Sequence, residues 1–217
     1  MYVKTLEQIA SRYAPSRMLS FELVHVFKVF QLLNRKDHVS RALLCQELSL
    51  GEGSIKTLHK HLKMSGLIQT TNHGTTLTEK GKILSSALVC SIPKETKMPK
   101  CSLTIGEFNY AVLLNKAGFF IKSGIEQRDA AIKAGAIGAT TLKYKDKFMM
   151  PMGSQLKNDT SYTLNLESQI SQFLLHNLRP ENNDVIIIGS DNLSFLRAEF
   201  GAKNAALFTI MNHEKHC

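Results

Sequence analysis

The sequence predicts an α+β protein, with a helical N-terminal unit that carries a β-hairpin and a mixed α/β unit behind it. Up to about residue 90 the apolar residues recur at helical spacing. The stretch SIPKETKMPKC at 91–101 then breaks that period with two prolines and three lysines. Beyond it, β-branched runs alternate with helix patterns that end in Gly. The boundaries expected are a first domain over 1–92, including a helical extension at 1–19, a linker over 93–100, and a second domain over 101–217.

A chain of 217 residues, 43% hydrophobic and 21% charged, is long enough to bury the cores of two small domains. No run approaches the roughly 20 apolar residues of a bilayer crossing, and MYVKTLEQIA lacks the apolar segment of a signal peptide. A cytoplasmic protein with no membrane partner is expected. Cys45, Cys90, Cys101 and Cys217 form no C-x-x-C pair, which argues against a disulfide framework and a four-cysteine zinc site. His213, His216 and Cys217 in the tail HEKHC are close enough in sequence to share a metal, but a polar terminus explains them equally well. No metal or other cofactor is expected. The net charge is +9, and it is uneven: residues 1–95 carry 13 Lys/Arg against 7 Asp/Glu, and residues 96–217 carry 14 against 11. The more basic first part is suited to polyanions.

The elements of that first part follow from the residues in order. Ser20 can cap a helix in which Leu23, Val26, Phe27, Phe30 and Leu33 form a buried face. A shorter helix over 40–48 presents Leu43, Leu44 and Leu48, and SLGEG turns the chain into a third helix over 52–65. On that helix Ile55, Leu58 and Leu62 share one sector, while Lys56, Lys60 and Lys63 share another well away from it. Gly66 supplies a left-handed stop. LIQTTNHGTTL, residues 67–77, then alternates around Asn72-His73-Gly74 as a hairpin. Thr78 opens a fourth helix with Ile83, Leu84, Ala87 and Leu88 as its apolar stripe.

This order, with SIKTLHKHLKMSGLI followed by a Gly-tipped hairpin and LTEKG, resembles the winged helix-turn-helix superfamily of transcription regulators over roughly residues 20–90. More narrowly, APSRMLSFELVHVF, SLGEGSIKTL and GIEQRDAAIKAGAIGATTL look like an archaeal two-domain winged-helix family whose C-terminal domain has no assigned function. The resemblance implies double-stranded DNA as partner, with helix 52–65 in the major groove and 67–77 as the wing. Ser54 and Thr57 are short hydrogen-bonding residues near the start of that helix, and Lys56, Lys60 and Lys63 supply charge along the groove wall. His59 can bond a base or phosphate or stand as a solvated residue, as can His61. His73 and Thr75 lie at the hairpin, where they could reach backbone or minor groove. Modules of this shape also dock proteins, so that reading stays open.

In the second domain the pattern FNYAVLL, NKAGFFIKSG, GIEQRDAAIKAG, GATTLKY runs strand, loop, helix, strand. It is expected to recur as strand DVIIIG, helix SDNLSFLRAEF and strand NAALFTI. Gly135-Ala136 to Ala139 and Gly201-Ala202 to Ala205 would mark the two junctions. Leu166, Ile170, Phe173 and Leu174 predict a further packed helix between them. AGAIGA closes a helix rather than opening one, so it does not read as a phosphate loop. Gln127, Arg128 and Asp129 crowd donors and acceptors at a helix start and, with Ser190 in the turn Gly189-Ser190-Asp191, are the candidates for an effector site. Arg128 there would hold a carboxylate or phosphate. No nucleophile, base or metal set supports catalysis, and no catalytic residue is assigned. The function expected is a DNA-binding regulator, dimeric so that two half-sites are read, with residues 101–217 sensing a small-molecule effector, dimerising, or both. An enzyme with its active site near Arg128 is the alternative.

Overall fold

A computed structural model describes residues 2–11, 19–151, 162–163 and 168–214. The chain divides into two compact units, residues 1–89 and 90–217, and the protein is α+β.

The first unit begins with α1 (Tyr2–Ile9), whose Val3, Leu6 and Ile9 are buried. Three helices follow, α2 (Leu23–Arg35), α3 (Arg41–Leu48) and α4 (Glu52–Met64). The start of α2 is set by Glu22, not Ser20: the Glu22 amide donates to His25 Nδ1 at 3.0 Å. Ser40 caps α3, its Oγ accepting from the Leu43 amide at 3.1 Å, an interaction whose loss typically costs about 1 kcal/mol. In the turn between α3 and α4 the left-handed residue is Ser49, at φ +53°, while Gly51 is extended and precedes α4. The glycines of SLGEG therefore do not make the turn by their conformation. Gly66, at φ +68°, does end α4.

The hairpin consists of β1 (Ile68–Thr71) and β2 (Gly74–Leu77), paired antiparallel. It is joined by Val39, which exchanges backbone hydrogen bonds with Thr75 at 3.0 and 2.9 Å. A side chain at Gly74 would stand 3.0 Å from the Val39 carbonyl oxygen, so the close approach needs glycine. Thr78 caps α5 (Glu79–Ser91) by accepting from the Gly81 amide. Leu84 and Leu88 of α5 are buried, but Ile83 is 65% exposed and lies outside the expected stripe.

In the second unit, residues 93–100 are not a linker, because β3 (Lys94–Met98) pairs antiparallel with β4 (Phe108–Leu114). Two flanking prolines and a run of charged residues are what an edge strand tolerates, and they give it the composition of a linker. After β4 come α6 (Ile125–Lys133), β5 (Gly138–Lys145), β6 (Lys147–Met150), β7 (Tyr162–Thr163), α7 (Ser168–Leu178), β8 (Val185–Asp191) and α8 (Phe195–Glu214). The sheet order is β3-β4-β8-β5-β6-β7 and every pairing is antiparallel. β8 enters between β4 and β5, so the two expected strand-helix-strand repeats do not exist as repeats.

Two expectations at the C-terminal end are overturned together. NAALFTI is helix, not strand, because α8 runs unbroken through Gly201 and Ala202. Gly189-Ser190-Asp191 is the end of β8 rather than a turn. The cap of α8 falls to Ser194, whose Oγ accepts from the Arg197 amide, while Asp191 Oδ1 accepts from Leu193 and Ser194 amides just before it. Gly201 serves packing: a Cβ there would sit 2.5 Å from that of Ala136.

Both faces of the sheet are covered, which is why β8 is buried along its whole length. On one face Ala111, Leu113, Leu142, Ile186 and Ile188 pack with Ile170, Leu174 and Leu178 of α7. The alternate residues Val112, Leu114, Val185 and Ile187 are buried toward α6 and α8. Lys203, 1% exposed, is held between Glu95 at 3.0 Å and Glu199 at 2.5 Å, with the Tyr110 ring 5.6 Å away. A buried charge persists only when paired in this way.

Two outcomes follow from this packing. A Cβ at Gly189 would meet the Ala198 carbonyl oxygen at 2.2 Å and the Ala202 amide nitrogen at 2.6 Å. Gly189→Ala should therefore lower stability by about 2 kcal/mol or more, seen as an earlier urea midpoint. His25 is pushed down to about 4 by burial, aided by the Lys28 ammonium, from a usual value of 6.5. Between pH 6.5 and 4 the unfolded chain binds the proton that folded His25 refuses, so stability is complete above this window and falls through it. The loss should reach about 3 kcal/mol near pH 4, and His25→Gln should flatten that part of a stability-versus-pH curve.

Candidate functional site

α4 carries its two faces as its spacing predicts. Ile55, Leu58 and Leu62 are fully buried, while Lys56, Lys60 and Lys63 are exposed. Arg41, the first residue of α3, joins them. The four cations, with His59, Met64 and Thr70, line one surface cavity of about 400 Å³ that has no carboxylate in its wall. None of the four forms an ion pair among the described residues. Crowded like charges without counterions are a cost to the folded chain that a bound polyanion removes. Ser54 and Thr57 are half-buried in the first turns of α4, and the Thr57 hydroxyl donates to the Gly53 carbonyl oxygen at 3.0 Å. Arg41 escaped the sequence reading because it stands on a different helix, and only packing brings it to the lysines.

The histidines are placed differently from expectation. His59 is buried, and its Nε2 is 3.0 Å from the equally buried Thr75 Oγ1. The pair fastens α4 to β2, so His59 Nε2 and the Thr75 hydroxyl are engaged with each other, while the His59 ring also borders the cavity. Burial, then the nearby Arg41 and Lys63 charges, lower the His59 pKa, and the ring is neutral at pH 7. His61 is also buried, its Nδ1 2.7 Å from the Ile9 carbonyl oxygen and its ring edge-on to Phe21. Packing of α1 against α4, with Phe21 set against the ring, takes this residue inward. Only His73 keeps the exposure expected of it, at the hairpin turn, with its ring 5.6 Å from that of His38.

In the second unit the four expected effector residues do not converge. Ser190 is fully buried and donates to Asn109 Oδ1 at 2.7 Å, because it belongs to the central strand rather than to a loop. Arg128 and Asp129 are exposed and bond each other, Nε and Nη2 to Oδ1 at 3.1 and 3.0 Å. Gln127 lines a cleft of about 420 Å³, shared with Phe119, Phe120, Lys122, Glu126, Thr209 and Asn212. Its Nε2 donates to Thr209 Oγ1 at 2.9 Å. Thr209 and Asn212 lie on α8, which the sequence had broken at Gly201, so their place beside α6 could not be foreseen. The side chains of His213, His216 and Cys217 lie outside the described residues.

Residues 105–210 match a family described as "Domain of unknown function (DUF4443)". No curated protein matches the chain. Among solved structures, hypothetical protein PH0730 from Pyrococcus horikoshii OT3 is similar, with a TM-score of 0.67 and 24% identity over 89% of this chain and 95% of that one. At that identity the likeness is one of fold.

The His59–Thr75 contact has a direct test. Thr75→Val keeps the shape but leaves a buried imidazole nitrogen without its partner, and should cost about 1–3 kcal/mol in thermal or urea unfolding. Thr75→Ser should recover most of that loss.

Proposed function

We propose that residues 20–90 are a winged helix-turn-helix module that binds double-stranded DNA in the cytoplasm. In this reading α4 enters the major groove and the hairpin lies along the neighbouring backbone. The observation that carries it is the cavity lined by Arg41, Lys56, Lys60 and Lys63 with no carboxylate in its wall, Glu52 standing in a neighbouring cavity beside Arg41 and Lys56. These side chains would hold phosphates and set the register, while Ser54 and Thr57 stand where base edges come within reach. His73 at the hairpin turn would touch backbone. His59 and Thr75 support the surface from beneath without contacting the duplex. The 128 residues from 90 to 217 serve as the sensing or dimerising part. A two-fold dimer reading half-sites about one helical turn apart would supply the specificity that one small module lacks. Arg128 is bound to Asp129 at the surface, and nothing in its surroundings favours an active site there.

Four phosphate-neutralising cations in one module predict a log–log salt slope of about −3 to −4, and each Ala substitution at these positions should reduce it by about 1. Lys60→Ala and Arg41→Ala should weaken binding on every sequence alike. Lys82→Ala, on α5 and paired with Glu79, should leave it unchanged. Fluorescence anisotropy with a random-sequence duplex at several salt concentrations provides the measurement. Undiminished affinity after all four cations are replaced would end the proposal.

A further inference from the structure

We infer that the cleft beside Gln127 binds a small zwitterion with an apolar side chain, an α-amino acid or a close analogue. The inference deepens the sensing role proposed for the second unit and does not depend on DNA binding. It starts from the charges. Lys122 and Glu126 are both exposed and line the same cleft, yet neither forms an ion pair among the described residues. A ligand with a single charge would be attracted by one of them and repelled by the other. A ligand that carries a carboxylate and an ammonium a few ångströms apart answers both.

Gln127 supplies direction. Its side chain is almost wholly enclosed, the residue being 2% exposed. The Thr209 hydroxyl proton is donated to the Ala205 carbonyl oxygen at 2.8 Å, so toward Gln127 that hydroxyl can only accept. The Gln127 amide nitrogen must therefore face Thr209, as observed at 2.9 Å. This leaves the carbonyl oxygen as a fixed acceptor, with no hydrogen bond to it from the described residues. A rigid acceptor on a residue that lines the cleft together with Glu126 suits an ammonium. The apolar part has its own surface: Phe119 is 84% exposed and Phe120 37%, both in the cleft wall. Exposed aromatic surface at a concave site is what an apolar side chain covers. A nucleotide fits less well, because its phosphate would bring two negative charges toward Glu126.

The test uses the full chain without DNA. Calorimetric titration with L-phenylalanine and L-leucine should show saturable binding. Phenylethylamine and phenylpropanoate, each lacking one charge, should bind at least about ten-fold more weakly. Lys122→Met and Glu126→Gln are surface changes, and each should weaken the amino acid by about ten-fold while leaving the melting temperature in place. The inference fails if a singly charged analogue binds as tightly as the amino acid, or if adenosine monophosphate binds and the amino acids do not. It fails also if neither amino acid binds at millimolar concentration. Because duplex affinity is measured separately, a chain that holds DNA but no amino acid overturns this inference alone, and the converse result overturns only the DNA reading.

Discussion

The first unit turns on Thr75. Its backbone pairs with Val39 and its hydroxyl meets His59, so one buried residue joins the segment leading into α3, the hairpin and α4. Arg41 follows Val39 by two residues, so anchoring Val39 brings Arg41 to the lysines of α4 and to Thr70 of β1. The cationic surface is thus a consequence of a junction made beneath it. A neutral imidazole is suited to such a junction. It fills volume, offers one polar atom to a hydroxyl, and adds no charge to a region that already holds four cations.

The second unit depends on missing side chains. Gly189 lets α8 lie against β8 at backbone distance, and Gly201 lets the same helix close on Ala131 and Ala136 at the end of α6. With α8 so placed, Thr209 comes to Gln127 and Lys203 to Glu95. The first contact shapes a cleft and the second closes a buried ion group. Both arise from one helix whose register is set by small residues, so the candidate ligand surface and the core are not separable parts of this unit.

How much of this was legible in the sequence depended on whether the signal was local. The helices α3 to α5 and the hairpin are there to be read because each has a buried and an exposed side, whereas α2 is read from its apolar spacing although it is buried on nearly every side. The exposure of Lys56, Lys60 and Lys63 follows from the same periodicity. Gly201 misled because a glycine after an apolar helix resembles a stop, whereas here it is a contact with a helix about seventy positions earlier. Polar residues misled for the same reason. His59, His61, Thr75 and Ser190 have the chemistry of a binding surface, and only tertiary partners show that they serve the interior. Arg41 and Asn212 were missed in the opposite sense, since neither has a local pattern and each matters through the company that folding gives it.

The edge strand β3 bears on assembly. Pro93 and Pro99 stand just outside its ends, and exposed or half-exposed Lys94, Thr96 and Lys97 lie between them. A proline offers no amide to a neighbouring chain, and lysines brought face to face across a two-fold axis repel one another. This border of the sheet is therefore guarded against extension by another copy. If the protein associates with itself, the union is to be sought on a helical or loop face, because the guarded border disfavours edge-to-edge pairing of this antiparallel sheet.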